Sequence, residues 1–158
     1  MAADSENRLR VGISIGDPNG IGMEVVIKTF LDNRMLEVCT PVVYGSSKLS
    51  SFYKKLIHAG DFSFNIIKEA SQAAAKKANL INCWEEEIKV EPGIPTEIAG
   101  QYAFKSLEAA TNDIASNKID VLVTAPINKN TINSAKFPLK GHTEYLANIA
   151  GTEDYLMI

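Results

Sequence analysis

The chain has 158 residues, of which 46% are hydrophobic and 22% are charged, and its formal net charge is -3 at pH 7. This length suits about one domain of 100–200 residues, and the composition supports a packed core rather than disorder. The slight negative charge argues against a nucleic-acid-binding protein. No apolar run approaches the roughly 20 residues that cross a bilayer, and Met1 to Arg10 lacks a secretion signal, so we expect a cytoplasmic protein with no membrane contact.

A strand, a glycine-rich loop and a helix open the chain. Leu9 to Ile15 is an apolar run typical of a strand, Gly16 to Gly22 interrupts it, and Met23 to Leu31 has helical periodicity. The loop matches neither of the two common nucleotide-binding fingerprints, and a tight turn also explains its glycines. Asp17 follows the strand, where open α/β sheets bind ligands. The expected buried side of the helix comprises Met23, Val25, Val26 and Phe30.

The alternation of strands and helices continues along the chain. Ser46 or Ser47 is placed to cap a second helix that Gly60 ends, and Thr96 to cap the longest helix, which runs to Asn117. The longest helix carries an apolar stripe of Ala103, Leu107, Ala110 and Ile114. Further strands are predicted at Val38–Tyr44, Phe62–Ile67, Leu80–Trp84, Asp120–Ala125 and Tyr155–Ile158.

Polar residues gather after the predicted strand at 120–125. We interpret this strand as buried and central, and Asn128 and Lys129 follow it directly. A connection at Phe137–Lys140 then leads to a helix that begins near His142 and Thr143. Lys129 offers a positive charge for a phosphate or carboxylate, although a solvated loop lysine explains it equally well. His142 and Thr143 offer an imidazole and a hydroxyl at a helix N-terminus, where a structural capping role is the alternative.

Strands that alternate with helices predict an α/β fold with a mostly parallel sheet and helices on both faces. In such sheets the loops after the strands meet in one crevice. Asp17 and the pair Asn128 and Lys129 are therefore expected to lie close together, although more than a hundred residues separate them in the chain.

The histidines and cysteines are few. A catalytic zinc site usually takes three protein ligands, often histidine, and the chain has only His58 and His142. Cys39 and Cys83 lie far apart and form no Cys-x-x-Cys pattern, which is typical of reduced, buried cysteines. We therefore expect no complete metal site in this chain.

Three motifs together resemble a known family. They are Gly16-Asp17-Pro18-Asn19-Gly20-Ile21-Gly22-Met23-Glu24, Thr124-Ala125-Pro126-Ile127-Asn128-Lys129 and Gly141-His142-Thr143-Glu144. In this order they are similar to the signatures of the 4-hydroxythreonine-4-phosphate dehydrogenase family, PdxA. The resemblance runs from about Arg10 to the end of the chain.

The resemblance implies an isocitrate-dehydrogenase-like fold, here incomplete, and an oxidoreductase of pyridoxal phosphate (vitamin B6) biosynthesis. Such an enzyme oxidises 4-phosphohydroxy-L-threonine with NAD or NADP, and the product then loses carbon dioxide. The family's substrate-binding His-Thr pair falls on His142 and Thr143, and Asp17, Asn128 and Lys129 are expected to line the site. The resemblance also implies a divalent metal (zinc, magnesium or cobalt) and a homodimer whose active site forms at the interface.

The chain also departs from the family pattern. Met23 stands where proline is common, and the stretch before Gly141 is slightly longer than usual. Family members are about twice as long, so the metal-binding histidines are expected beyond Ile158. We therefore interpret residues 1–158 as an N-terminal portion that is inactive alone. It would contain a first α/β subdomain at about 1–130 and the start of a second at 131–158.

Three other functions stay open at this point. A related dehydrogenase acting on another phosphorylated hydroxy acid or a cyclic diol would share these motifs. An acyltransferase of the phosphotransacetylase type shares the broad fold, but it would bind coenzyme A and use neither nicotinamide nor metal. A non-catalytic fragment that pairs with a partner would expose an apolar face.

Overall fold

One parallel sheet organises the computed structural model, which describes residues 8–133 and 141–157. The strands within these residues are β1 (Arg10–Ser14), β2 (Thr40–Gly45), β3 (Asn65–Ile67), β4 (Asn79–Asn82) and β5 (Val121–Thr124). Their order in the sheet is β3-β4-β2-β1-β5, and every neighbouring pair is parallel. The predicted α/β fold with a parallel sheet is therefore confirmed.

Helices cover both faces of the sheet, as predicted. The α-helices of the described residues are α1 (Gly22–Leu31), α2 (Met35–Val38), α3 (Ser47–Leu56), α4 (Glu97–Ala115), α5 (Lys129–Ile132) and α6 (His142–Ala150). Helices α1 and α3 pack with Ile13, Val43 and Leu80 on one face, while α4 packs with Val42 and Tyr44 on the other. None of these helices is both long and apolar enough to cross a bilayer.

Local capping signals fix the starts of α3 and α4, which lie on opposite faces of the sheet. The Ser46 side chain accepts a hydrogen bond from the Lys48 N–H at 3.2 Å, and the Thr96 side chain accepts one from the Ala99 N–H at 3.2 Å. Each bond satisfies one of the N–H groups that a helix start leaves without an intrahelical partner. Both predicted caps are therefore confirmed.

Three details of the predicted elements are wrong. Val25 is 49% exposed, because the buried face of α1 is formed by Met23, Val26, Ile27 and Phe30 at helical spacing. Val38 ends the short helix α2 instead of beginning a strand. Helix α3 ends at Leu56, before Gly60, and His58 takes the positive φ of 56° that follows it.

The strand predicted to be central and buried is neither. β5 lies at the edge of the sheet beside β1, and Val121 and Val123 are 40% and 48% exposed. An apolar run indicates a strand, but its place in the sheet depends on which other segments pair with it. Among the described residues only β1 pairs with β5.

The C-terminal part of the chain packs on α4. Tyr145 of α6 makes an edge-to-face ring contact with Phe104 of α4, with centroids 5.8 Å apart. The strand predicted at 155–158 is wrong for Tyr155 to Met157, which pair with no strand and are exposed. The connection at Phe137–Lys140 lies outside the described residues. The division into subdomains near residue 130 stays a prediction.

Candidate functional site

Two loops that follow neighbouring strands meet at the carboxyl edge of the sheet. Gly16 has a φ of 68°, and a Cβ atom on it would overlap the carbonyl oxygen of Pro126. The next residue, Asp17, donates its N–H to that same oxygen at 3.0 Å. Only glycine tolerates both the positive φ and the close approach. The first loop thereby sits directly against the segment that carries Asn128 and Lys129.

A cavity of about 320 Å³ lies at this junction. Asp17 and Asn128 both line it, so the structure brings together two of the predicted site residues. Asp17 is only 8% exposed, and its carboxylate accepts a hydrogen bond from the Asn19 N–H at 2.8 Å. Much of the remaining wall is apolar and comprises Ile21, Ile94, Pro95, Pro126 and Ile127. Apolar walls with a few polar groups are typical of small-molecule sites.

Asn19 holds the far wall of this cavity, a role that the sequence analysis missed. Its side-chain N–H groups donate to the Ile94 carbonyl at 2.8 Å and to the Thr96 hydroxyl at 3.4 Å. Its side-chain oxygen accepts from the Glu91 N–H at 2.9 Å, and its backbone oxygen accepts from the Gly93 N–H at 2.8 Å. No local signal could have indicated partners more than 70 residues away.

We expect Asn19→Ala to lower the free energy of unfolding by about 2–4 kcal/mol, because it removes the hydrogen bonds of a side chain that is only 4% exposed and leaves the Glu91 N–H unpaired. Urea unfolding followed by circular dichroism measures this. Asn130→Ala is the control, since Asn130 is exposed, and it should change stability by less than about 0.5 kcal/mol. Equal effects of the two substitutions would show that the Asn19 network contributes little.

Asn128 has a structural task besides lining the cavity. Its side-chain oxygen accepts from the Asn130 N–H at 3.0 Å and from the Thr131 N–H at 3.3 Å. These bonds cap α5 and hold the backbone that leads from β5 to Lys129. Gly100 of α4 allows α5 to pack closely, because a Cβ atom there would overlap the Thr131 carbonyl.

Lys129 and His142 are neighbours at the start of α6. Burial, and then the positive charge of Lys129, lower the pKa of His142 below 6.5, so its imidazole is neutral at pH 7. The Nε2 atom of His142 is buried and has no hydrogen-bond partner among the described residues. No side chain caps α6 at Gly141. A buried imidazole nitrogen that lies beside a cation and has no hydrogen-bond partner lowers the stability of the folded chain. Such an atom is typical of a group that binds a ligand.

The predicted site residues thus fall into two adjoining pairs. Asp17 and Asn128 share the cavity, while Lys129 lies beside His142, and the peptide bond between Asn128 and Lys129 joins the pairs. Neither His142 nor Thr143 is among the residues that line the cavity, as far as the described part of the chain shows. Thr143 lies half-buried in the first turn of α6.

The described residues do not by themselves assemble a metal site, and part of the glycine-rich loop is already hydrogen-bonded within the protein. No group of three His, Cys, Asp or Glu side chains comes together within residues 8–133 and 141–157. In the glycine-rich loop, the N–H groups of Asp17, Asn19 and Gly20 already donate to protein oxygens. A phosphate-binding loop needs such groups free, so these three N–H groups shape the cavity and are not available to a phosphate.

The fold and the cavity define an α/β protein with a ligand crevice at the carboxyl edge of a parallel sheet. The chain belongs to the PdxA family, since the family model described as "Pyridoxal phosphate biosynthetic protein PdxA" matches residues 37–158.

Several similar proteins are named 4-hydroxythreonine-4-phosphate dehydrogenase, and others, from Clostridium botulinum, are named putative D-threonate 4-phosphate dehydrogenase. A 4-hydroxythreonine-4-phosphate dehydrogenase of Bacteroides thetaiotaomicron is 44% identical over 146 residues, which are 92% of this chain and 40% of that protein. A protein of the same name from Sulfurihydrogenibium is 33% identical over 95% of this chain and 45% of its own length. A crystal structure of the Burkholderia phymatum 4-hydroxythreonine-4-phosphate dehydrogenase matches with a TM-score of 0.85 and 28% identity. The match covers 94% of this chain and 46% of the Burkholderia phymatum chain. The chain therefore spans less than half the length of these relatives.

Proposed function

We propose that this chain forms part of the active site of an enzyme that oxidises 4-phosphohydroxy-L-threonine with NAD or NADP. The resulting β-keto acid would then lose carbon dioxide to give 3-amino-2-oxopropyl phosphate, in pyridoxal 5'-phosphate biosynthesis. The names of the Bacteroides thetaiotaomicron and Sulfurihydrogenibium relatives support this substrate. The observation that carries the proposal is the meeting of the family's motifs: Gly16 lies against Pro126, and the Lys129 side chain lies close to Gly141, at the start of the helix that carries His142.

The roles we assign follow from the chemistry of each side chain. His142 and Thr143 bind the substrate, because a neutral imidazole and a hydroxyl can each donate or accept a hydrogen bond. Lys129 provides a positive charge for the phosphate or the carboxylate of the same substrate. Asp17 and Asn128 line the adjoining cavity and orient the part of the substrate or cofactor that enters it.

The remaining parts of the proposed enzyme come from elsewhere. The described residues do not assemble a metal site, so we assign the divalent metal (zinc, magnesium or cobalt) and most contacts to NAD or NADP to residues that this chain lacks. We also propose a cytoplasmic homodimer with the active site at the interface. The chain alone is then inactive.

A fusion protein tests this function. The 158 residues are joined to the portion of the Bacteroides thetaiotaomicron relative that they do not match, and both the fusion and the chain alone are given 4-phosphohydroxy-L-threonine, NAD and Zn²⁺. We expect the fusion to form NADH and the chain alone to form none. A folded fusion without activity would contradict the substrate, and NADH formation by the chain alone would contradict the assignment of the missing parts.

A further inference from the structure

A second cavity, of about 240 Å³, also lies at the carboxyl edge of the sheet. Ser46, which follows β2, and Trp84, which comes shortly after β4, both line it, and these two strands are neighbours in the sheet. Ser46, Leu49 and Trp84 are at most 5% exposed, so this wall is part of the packed interior. Among the described residues, none lines both this cavity and the cavity at Asp17. The second cavity is also lined by the apolar side chains of Phe52, Ile88 and Val90.

Trp84 carries a hydrogen-bond donor that the described residues leave unused. Its Nε1 atom is buried and has no hydrogen-bond partner within residues 8–133 and 141–157. An indole N–H can only donate, and a buried tryptophan usually finds an acceptor for it. The ring of Tyr102 packs against the indole, with centroids 4.8 Å apart, and helps to hold it in place. An acceptor on a ligand would remove the cost of the unpaired donor, so Trp84 indicates a ligand that carries one.

Two further donors line the same cavity. The Ser46 hydroxyl accepts a hydrogen bond from the Lys48 N–H at 3.2 Å, and its own proton has no acceptor in the described part of the chain. The Lys48 ammonium donates to the Glu85 carbonyl but forms no ion pair with a described carboxylate. Lys89, in contrast, is paired with Glu91 at 2.7 Å. The positive end of the α3 dipole adds to the charge of Lys48, so a negatively charged acceptor is favoured here.

Acidic side chains at this cavity limit the charge that it accepts. Glu86 is already engaged by the Lys105 ammonium at 3.0 Å, whereas Glu87 is exposed. The Ser47 N–H at the start of α3 is also occupied, because it donates to the Asn82 side chain at 2.7 Å. A phosphate dianion would be repelled by the two glutamates and would lack this N–H group. A carboxylate, with a single charge and two oxygens, suits the site better.

We propose that this cavity binds a small organic carboxylate with an apolar body of about one ring. The carboxylate oxygens would accept from Trp84 Nε1, the Ser46 hydroxyl and the Lys48 ammonium, and the ring would contact Phe52. The volume supports a small ligand, because drug-sized ligands occupy cavities of about 300–1,000 Å³. The proposal does not depend on the dehydrogenase function, since the two cavities share no lining residue among those described.

Tryptophan fluorescence tests the site, because Trp84 is the only tryptophan of the chain. The 158-residue chain is titrated with benzoate, with its neutral analogue benzamide and with the cation benzylamine. We expect benzoate to change the Trp84 emission saturably, with a Kd of about 1 mM for a ligand of about nine non-hydrogen atoms. Benzamide should bind at least about ten-fold more weakly, because charge-assisted hydrogen bonds are the stronger ones. Equal binding of benzoate and benzamide, or tighter binding of benzylamine, would overturn the proposal.

A lysine substitution tests the assigned charge. Lys48→Met removes the ammonium that we assign to the carboxylate, and it should weaken benzoate binding about ten-fold. Lys55→Met is the matched control, because it removes the same charge from the same helix but Lys55 does not line the cavity. It should leave benzoate binding unchanged, and circular dichroism verifies that both variants are folded. Equal weakening by the two substitutions would reject a specific site at Lys48.

Heteronuclear NMR of the indole N–H decides the case in which the emission does not change or Lys48→Met does not fold. A single tryptophan gives a single indole N–H signal, which reports on Trp84 directly. Benzoate should shift this signal saturably, and phenyl phosphate should bind more weakly than benzoate. The proposal is wrong if benzoate leaves the signal unmoved up to about 10 mM, or if phenyl phosphate binds more tightly.

Discussion

Gly16→Ala is expected to prevent stable folding, with a loss of more than about 4 kcal/mol in the free energy of unfolding. The φ of 68° at this residue costs a non-glycine residue about 1–2 kcal/mol. The added Cβ atom would also overlap the carbonyl oxygen of Pro126, and this oxygen belongs to a backbone segment that cannot rotate away. Relief of the overlap would separate the first loop from the segment after β5 and break the hydrogen bond from the Asp17 N–H.

Gly93→Ala separates the cost of a positive φ from the cost of the steric overlap. Gly93 has a φ of 81°, but no atom lies within 4 Å of a Cβ placed on it. Its replacement should therefore cost only the conformational part, about 1–2 kcal/mol. Urea unfolding of both variants measures the difference. If the two substitutions destabilise the protein equally, the close approach at Pro126 does not hold the two loops together.

His142→Ala is expected to lower kcat/KM of the fusion enzyme by about 10- to 100-fold, the equivalent of one lost hydrogen bond to a charged group at about 1.5–3 kcal/mol. It should not lower the free energy of unfolding, because the Nε2 atom has no hydrogen-bond partner to lose among the described residues. Steady-state kinetics and urea unfolding of the same variant test both parts. A loss of stability with normal kinetics would show that His142 is structural.

The pH dependence of stability gives a second measurement on the same side chain. Burial and the Lys129 charge lower the pKa of His142 in the folded chain from its ordinary value of 6.5. As the pH falls below 6.5, the unfolded chain therefore binds more protons than the folded chain. The pKa difference therefore has no effect on stability well above pH 6.5, and stability falls as the pH drops below 6.5. Lys129→Met removes the positive charge that helps to lower the pKa of His142. The wild type should therefore lose more stability than this variant between pH 7.5 and 5.5. An equal loss in the two proteins would show that the Lys129 charge does not act on His142.

Local patterns predicted most of the elements correctly. Apolar runs indicated the strands, and hydroxyl side chains indicated the helix starts at Ser46 and Thr96. These signals succeed because strand formation and capping depend on residues within a few positions of one another. The prediction that Asp17 would lie near Asn128 also succeeded, because the loops after parallel strands open at the same edge of a sheet.

The tertiary structure alone decided the place of β5, the partners of Asn19 and the proximity of Lys129 to the start of α6. The sequence of β5 predicts a strand with equal force at the centre or the edge of a sheet, because an apolar run does not specify its neighbours. The hydrogen bonds of Asn19 join the first loop to Ile94 and Thr96, and such distant pairings arise only when the whole sheet has formed. The sequence by itself therefore determined the class of fold and its motifs, while long-range packing determined which of their side chains meet.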